Sequence, residues 1–183
     1  TSGFTTATDV GDLTLSRFQP AGQSSSESGY TSGGRSALFH DEIDKFPFST
    51  DANATDVGDL TVTSWGVAGQ SDVVNGFGYA SGGSAPAGAT NVIDKFPFST
   101  DANATDVGDL TVSRYGSAGQ SSTTHGYTSG GVAPPNLDVI DKFPFASAGN
   151  ATDVGDLTAA KRGLVGQSST THGYTSGGRP STN

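Results

Sequence analysis

Two histidines, His125 and His172, occupy equivalent positions in different repeats and are candidate ligand-binding residues. Both stand in the sequence Thr-Thr-His-Gly-Tyr, which predicts that they line a shared channel or groove. Histidines that only complete the hydrogen bonds of a strand are the alternative. Trp65 is a third candidate, because an aromatic ring can stack on a sugar, and its alternative role is packing between repeats.

Three asparagines, Asn53, Asn103 and Asn150, each stand in an Asn-Ala-Thr sequence. In a secreted eukaryotic protein this sequence accepts N-linked glycans on surface loops. The three asparagines are therefore candidate glycosylation sites if the host glycosylates. The alternative to glycosylation is that the Asn-Ala-Thr sequence recurs only because the turn that contains it was duplicated.

The spacing of the polar residues does not predict a catalytic set. Serines are plentiful, but no Ser-His-Asp order stands out, and His40 stands alone in a variable segment. The chain has no cysteine, which excludes disulfides and thiolate metal sites. We therefore expect a protein that is not an enzyme.

The charge of the chain limits its partners. Eighteen acidic and nine basic residues give a net charge of −9, and the basic residues are scattered. Such a surface repels phosphate backbones, so we expect no nucleic-acid partner. No apolar run approaches the ~18 residues of a membrane span, so we expect no membrane insertion.

A long repeat positions these candidate residues. The sequence Thr-Asp-Val-Gly-Asp-Leu-Thr occurs four times, and its valines are spaced by 47, 50 and 47 residues. A period of this length is typical of repeat architectures. We treat 1–183 as one repeat domain, with a piece of a longer array as an open alternative. Its units are approximately 1–34, 35–83, 84–131 and 132–178, followed by a tail at 179–183.

Each unit contains three or four short runs with the period of a strand and none with the period of a helix. The run from Val92 to Phe98 places two phenylalanines on one face, and Pro97 predicts a strand that lies at an edge or ends there. The Asp-Val-Gly-Asp segment is expected to form a turn, with Leu110 and Val112 in the strand behind it. The predicted core of this unit, with its equivalents elsewhere, is Ile93, Phe96, Phe98, Val107, Leu110, Val112 and Tyr127.

This content predicts an all-β fold of four ~47-residue repeats that form the blades of a β-propeller or a propeller-like array. A right-handed β-solenoid is the alternative. The Gly-Tyr strand occurs four times, but the Ile-Asp-Lys-Phe-Pro-Phe strand occurs only three times. Either a neighbouring subunit supplies the missing strand, or the array is longer, or one blade stays short.

One family resemblance covers essentially the whole chain. From Arg114 the sequence runs through a serine-rich stretch to Gly-Tyr-Thr-Ser-Gly-Gly131, a variable loop, Val139-Ile-Asp-Lys-Phe143 and Gly155-Asp-Leu157. This order resembles the kelch repeat, although the kelch tryptophan before the third strand is missing. The resemblance implies a β-propeller. Kelch-fold oxidases use copper and a cysteine-modified tyrosine, and the lack of cysteine excludes that class.

A second resemblance is to the calcium loop of FG-GAP propeller repeats, in the segments that begin at Asp51 and Asp101. Oxygen ligands at alternating positions can surround a hard cation. The resemblance implies Ca²⁺ as the one candidate cofactor, with the ligands Asp51, Asn53, Asp59, Asp101, Asn103 and Asp109. The alternative is that Asp and Gly shape the turn, with Asp side chains capping backbone N–H groups.

The repeated segments are also similar to repeat proteins of environmental phages and viruses. We therefore expect a non-enzymatic structural or adhesion module of a virion, fibre or extracellular assembly. Its partners would be further copies or neighbouring subunits, with glycans as a further candidate, and its location extracellular or on the virion surface. A soluble carbohydrate- or protein-binding propeller and a secreted propeller-fold hydrolase or lyase are the alternatives.

Overall fold

The computed structural model of the chain describes residues 6–169 and 171–180, which form strands joined by turns and bends, with no helix. The predicted all-β class is therefore confirmed. Within these ranges no helix has the length and apolar character needed to cross a membrane. Most strands recur with the repeated sequences, because similar sequences favour the same local structure.

The described residues form three four-stranded antiparallel sheets, followed along the chain by a two-stranded sheet. Sheet 1 contains β1 (Ala21–Ser24), β2 (Ser28–Arg35), β3 (Phe39–Pro47) and β4 (Thr55–Asp59). Sheet 2 contains β5 (Ala68–Asp72), β6 (Phe77–Ser81), β9 (Val92–Pro97) and β10 (Thr105–Asp109), with a small hairpin of β7 (Ser84–Ala85) and β8 (Gly88–Ala89) between β6 and β9.

Sheet 3 contains β11 (Ala118–Ser121), β12 (His125–Val132), β13 (Asn136–Pro144) and β14 (Thr152–Asp156), and sheet 4 contains β15 (Lys161–Ser168) and β16 (Gly173–Pro180). Each four-stranded sheet is a meander in which strands adjacent in space follow one another along the chain, apart from the small hairpin. A sheet takes its first two strands from one predicted unit and its last two from the next. Each sheet thus begins at an Ala-Gly-Gln-Ser strand or its equivalent.

The third strand behaves as its sequence predicts. β9 ends at Pro97, which cannot donate a ladder hydrogen bond. Four of the seven predicted core residues of this unit are buried, namely Ile93, Phe96, Phe98 and Leu110. Val107 and Tyr127 are only half-buried. The prediction for Val112 is wrong, since this side chain is 37% exposed.

In three of its four copies the Thr-Asp-Val-Gly-Asp segment is a strand and not the predicted turn, whereas the copy at 8–12 is not a strand. In sheet 2 it forms β10, which pairs with β9 and contains a bulge between Asp106 and Gly108. The Asp106 carboxylate accepts a hydrogen bond of 3.0 Å from the Gly108 amide, so the predicted capping by aspartate is confirmed. Gly108 has a φ of 154°, and a Cβ there would lie 2.4 Å from the Gly149 carbonyl oxygen. The predicted strand behind it, at Leu110 and Val112, is a bend.

The hydrophobic core lies between the sheets. One cluster joins Tyr30 and Ile43 of sheet 1 to Phe96 and Phe98 of sheet 2, and its full membership is Ala21, Tyr30, Ile43, Leu60, Val67, Ala80, Phe96, Phe98 and Ala104. A second cluster joins sheets 2 and 3 through Tyr79, Ile93, Leu110, Phe143, Phe145 and Ala151. Each sheet therefore needs a neighbour to bury its apolar side chains.

The first strands of consecutive sheets lie directly beside one another. A Cβ on Gly69 would be 2.3 Å from the Gly22 carbonyl oxygen, and one on Gly119 would be 2.1 Å from the Gly69 carbonyl oxygen. Gly166 approaches Gly119 in the same way, with 2.0 Å. Only glycine permits this approach, so the repeated Gly before Gln sets the distance between sheets.

Replacement of Gly119 by alanine tests this constraint. We expect Gly119→Ala to lower the free energy of unfolding by about 1–3 kcal/mol, because the added methyl group collides with the neighbouring backbone. Gly149→Ala is the control, because nothing lies within 4 Å of a Cβ at that position. Chemical denaturation followed by circular dichroism measures both, and equal stability of the two variants would contradict the close approach.

Candidate functional site

A buried aspartate in the third strand joins each four-stranded sheet to the segment before it. In sheet 2 the Asp94 carboxylate accepts hydrogen bonds from the Thr61 amide (2.8 Å) and the Thr61 hydroxyl (2.7 Å). The same pair of bonds links Thr14 to Asp44 and Thr111 to Asp141. Hydrogen bonds to charged groups contribute ~1.5–3 kcal/mol each, so this contact is a strong local restraint.

Two of the three aspartates also have an arginine partner. Arg17 Nη2 lies 3.0 Å from Asp44 Oδ2, and both side chains are fully buried. Arg114 forms the same ion pair with Asp141, and burial lowers the pKa of Arg114 while Asp141 opposes that shift.

The second sheet lacks this arginine. Ser64 stands three residues after Thr61, where Arg17 and Arg114 follow Thr14 and Thr111. Asp94 is 3% exposed, and burial raises its pKa, while the Thr61 hydrogen bonds act in the opposite direction. Sheet 2 therefore holds a buried carboxyl group without a cation, whereas its neighbours hold compensated ion pairs.

A tyrosine in the second strand packs onto the phenylalanine that directly follows the third strand of the next sheet. The Tyr79 ring stacks on Phe145 at 4.8 Å between centroids, and its hydroxyl donates to the Phe145 carbonyl at 3.3 Å. Tyr30 makes the same contacts with Phe98, at 4.6 Å and 3.2 Å. Burial raises the pKa of both tyrosines, so their hydroxyls remain hydrogen-bond donors.

Amide side chains complete the contact between sheets. Gln23 Nε2 donates to the Tyr79 carbonyl, and Gln70 Nε2 to the Tyr127 carbonyl, each at 2.9 Å. Because these amide groups donate to backbone carbonyls of the next sheet, the contact fixes the position of each sheet relative to the next.

The last copy of this contact is open. Gly173 is exposed and Leu157 and Tyr127 are half-buried, although their equivalents Gly126, Leu110 and Tyr79 are buried. A cavity of about 420 Å³ lies between sheets 3 and 4, and its wall includes Tyr127, Asp156, Leu157, Thr158 and Gly173. Its volume falls in the ~300–1,000 Å³ range of ligand-sized clefts.

Three aromatic side chains form a row beside the first strands. The rings of Phe18 and Trp65 are 6.1 Å apart, and those of Trp65 and Tyr115 are 5.1 Å apart. A cavity of about 270 Å³ adjoins this row and is also lined by Arg162 and Arg179. Trp65 Nε1 is buried and has no acceptor among the described residues. Aromatic faces beside guanidinium groups suit a sugar that carries a carboxylate.

The two histidines predicted to bind a ligand lie at equivalent hairpins, at the start of β12 and before β16. His125 Nδ1 is 2.8 Å from the Thr124 hydroxyl, and His172 Nδ1 is 2.9 Å from the Thr171 hydroxyl. Their side chains thus bond the preceding threonine and not a strand. Neither histidine lines the two cavities described above, and ligand binding by them stays a prediction.

The predicted calcium ligands fall on contacts between units. Asn53 Oδ1 accepts from the Asp12 amide at 3.0 Å, and Asn103 Oδ1 accepts from the Asp59 amide at 3.2 Å. Asp101 is 3.4 Å from Lys45 Nζ. The described residues contain no cluster of three or more His, Cys, Asp or Glu side chains that could hold a metal ion. Calcium binding at Asp51, Asn103, Asp109 and the other predicted ligands stays a prediction.

The candidate glycosylation sites share this position. Asn150 Oδ1 accepts from the Asp109 amide at 3.1 Å, as Asn53 and Asn103 do from their partners. All three asparagines are exposed. The amide oxygen has a structural role in each, and glycosylation at the nitrogen stays a prediction.

Sequence reasoning missed a hydrogen-bonded row of three polar side chains in sheet 1, formed by Ser36, His40 and Glu42. His40 is 8% exposed, and it bridges Ser36 and Glu42 through its two ring nitrogens, at 2.7 Å and 3.1 Å. The expectation that His40 stands alone is therefore wrong. In this order a carboxylate can orient an imidazole, and the imidazole can accept the proton of a hydroxyl. The serine lies on the exposed hairpin turn, away from both cavities described above, where the row ties the ends of β2 and β3 together.

Comparison of the whole chain with protein-family models and with curated protein sequences finds no match.

Substitution by asparagine distinguishes a buried aspartate that pairs with arginine from one that is held only by threonine hydrogen bonds. We expect Asp141→Asn to lower the free energy of unfolding by about 3–5 kcal/mol, because it leaves Arg114 buried without its partner. Asp94→Asn removes no ion pair and should cost about 1 kcal/mol at neutral pH.

The pH dependence of the same variants is the second part of this measurement. The raised pKa of Asp94 favours folding while the carboxyl is protonated, and this contribution is lost as pH rises through that pKa. The stability of Asp94→Asn relative to the unsubstituted chain should therefore increase from about pH 4 to about pH 7. Equal losses for both variants at every pH would contradict this assignment.

Proposed function

We propose that the chain is a non-enzymatic structural or adhesion module of an extracellular or virion assembly. In this proposal its sheets are blades of a propeller-like array, and the array continues from one chain to the next. Further copies of the chain are the main partners. The observation that carries the proposal is the contact between sheets, which recurs with the same residue types between sheets 1 and 2 and between sheets 2 and 3.

The exposed aromatic side chains at the two ends of the row of sheets match one another. Within the chain, a second-strand tyrosine packs on a third-strand phenylalanine of the next sheet. At one end, Tyr174 of sheet 4 is 56% exposed, and at the other Phe48, beside sheet 1, is 57% exposed. If two copies associate as consecutive sheets do within the chain, Tyr174 of one copy would contact Phe48 of the other.

The polar parts of the contact are available at the same ends. Gln167 of sheet 4 is exposed and occupies the position from which Gln23 and Gln70 donate to the next sheet. A contact between unlike surfaces of identical chains forms a ring if the rotation closes and a filament if it does not. The proposal therefore specifies a head-to-tail assembly.

Light scattering combined with electron microscopy tests this assembly. We expect the mass of the particles to rise with concentration, and rings or filaments to be visible. Phe48→Asp should lower the association constant by tenfold or more, because it places a charge in the aromatic contact. Leu38→Asp, at a hairpin position that is 70% exposed, is the matched control and should associate normally. A particle with the mass of one chain at all concentrations would contradict the proposal.

A second candidate function is binding of acidic glycans at the aromatic row. The specific observation is the cavity in which Trp65 and Tyr115 lie beside Arg162 and Arg179. A pyranose ring stacks on aromatic faces, and its carboxylate pairs with guanidinium groups. This function is compatible with adhesion, since an assembled array would present many copies of the site.

The intrinsic fluorescence of the chain reports on this site directly, because Trp65 is its single tryptophan. We expect oligogalacturonate to change the fluorescence saturably, and a neutral oligosaccharide of equal length to bind at least tenfold more weakly. Arg162→Gln and Arg179→Gln should each weaken binding about tenfold, as loss of a charge-assisted hydrogen bond does. Lys142→Gln, outside the cavity, is the control. No change in fluorescence with either sugar would contradict glycan binding there.

A further inference from the structure

The buried carboxylate of Asp94 in sheet 2 has two equivalents in the same chain, and they show which chemical group can lie beside it. Asp44 and Asp141 accept the same pair of threonine hydrogen bonds, and each also faces the guanidinium group of a buried arginine. The position therefore accommodates a cation in two of the three four-stranded sheets.

Two side chains around Asp94 are smaller than their equivalents. Ser64 stands at the position of the two arginines, three residues after the threonine. Ala80 pairs with Asp94, whereas the equivalent residue in the other two sheets is a threonine. A cavity of about 10 Å³ adjoins these residues, and its wall includes Ser64, Ala80, Val92 and Asp94. This volume is about that of one water-sized sphere, so the cavity admits a ligand of that size.

Residues with oxygen ligands lie in the wall of this cavity. Ser64 is 3% exposed, and its hydroxyl has no hydrogen-bond partner in the described part of the chain. The arginine of sheet 3 donates to the Val139 carbonyl at 3.2 Å, and that of sheet 1 donates to the Thr31 carbonyl at 3.0 Å. The equivalents of these two carbonyl residues are Val92 and Ala80. The oxygen acceptors of a cation are thus kept in sheet 2, although the arginine is replaced.

The charge of Asp94 has no counterpart in this wall, because none of the residues that line the cavity is basic. Burial raises the pKa of Asp94, the Thr61 hydrogen bonds lower it, and the nearby Asp106 carboxylate raises it. Removal of an ion from water is unfavourable unless an opposite charge accompanies it. A cation in the cavity would therefore favour the ionised carboxylate, as arginine does in the neighbouring sheets.

Size and charge limit which cation fits. One carboxylate balances one positive charge, so a divalent ion would leave a buried charge uncompensated. Calcium takes about six to eight oxygen ligands, and magnesium keeps several of its waters, which a cavity of this volume cannot hold. Potassium and ammonium ions carry a single charge and are close to water in size.

We propose that this cavity binds one monovalent cation of the size of water, potassium or ammonium, through the Asp94 carboxylate and the Ser64 hydroxyl. The bound cation takes the place in sheet 2 that the guanidinium group has in sheets 1 and 3. It joins the third strand to the segment before the sheet, as the buried arginines do. The inference goes beyond the proposed function and does not depend on it, because all ligands of the cation belong to one chain.

The melting temperature of the intact chain at neutral pH tests the site. Potassium chloride and ammonium chloride are compared with tetramethylammonium chloride at equal ionic strength, since tetramethylammonium is too large for the cavity and controls for charge screening. The melting temperature should rise saturably with the smaller cations, by about 3–6 °C at roughly ten times the dissociation constant.

Nuclear magnetic resonance with nitrogen-labelled ammonium detects the bound cation directly. One ammonium ion per chain should give its own proton signal, with Overhauser contacts to Ser64 and Val92. Titration with potassium should displace this signal, and the concentration needed shows which of the two cations the site prefers.

Three variants locate the response. Asp94→Asn removes the charge and should abolish both the ammonium signal and the rise in melting temperature. Ser64→Arg supplies the guanidinium group of the other sheets and should also abolish the response. Asp106→Asn is the matched control, because it removes an exposed carboxylate from the residue that pairs with Asp94 and keeps the acceptor for the Gly108 amide. This control should respond as the unsubstituted chain does.

Equal melting temperatures in all three salts, without a bound ammonium signal, would mean that water alone enters the cavity and would overturn the inference. A full response in Asp94→Asn or in a folded Ser64→Arg variant would overturn it as well, because the cation would then bind elsewhere. If Ser64→Arg does not fold, Asp94→Asn and the ammonium signal decide. None of these results changes the proposed assembly, which light scattering measures separately.

Discussion

The contact between consecutive sheets is the constraint on which the rest of the structure depends. No single sheet buries its own apolar side chains, since both core clusters are shared between neighbouring sheets. The buried aspartate, the threonine that donates to it and the tyrosine on the next third strand set the position of each sheet relative to its neighbour. Close approach at Gly119 and its equivalents then leaves a single spacing for the first strands.

This arrangement makes stability a property of neighbours. In such chains the free energy of folding is approximately a sum of terms for each unit and each junction between units. Among the described residues, sheets 2 and 3 have a neighbouring sheet on both sides, whereas sheets 1 and 4 have one on a single side. The half-buried Leu157 and Tyr127, whose equivalents Leu110 and Tyr79 are buried, show the same difference in apolar burial.

The periodic part of this structure could be predicted from the sequence. The spacing of Thr-Asp-Val-Gly-Asp gave the number of repeats, and the alternation around Phe96 and Pro97 gave the third strand. The strand at Thr105–Asp109 could not be predicted, because Gly108 and Asp106 are typical of turns and only pairing with β9 reveals the bulge. Contacts between units were also out of reach, since a repeated sequence does not indicate which copy a residue contacts.

The same limit applies to the candidate sites. The bonds from Thr61 to Asp94 and from Thr111 to Asp141 join segments that are distant in the sequence, and the row from Ser36 to Glu42 depends on how one hairpin folds. Trp65 was predicted as a ligand contact on its residue type alone, and the arginines beside it come from a distant part of the chain.

The identity of the third strands has a consequence for how the chain folds. β3, β9 and β13 share the sequence Ile-Asp-Lys-Phe-Pro-Phe, so each would satisfy the threonine and tyrosine of any of the three sheets. Exchange of these strands between sheets would keep most native contacts. The contacts alone therefore give only a small difference in free energy between the native and the exchanged pairing. Each third strand follows its partner in the sequence after a short connection, and short loops close faster than long ones. Short connections therefore favour the native pairing over exchange, in the entropy of loop closure and in its rate.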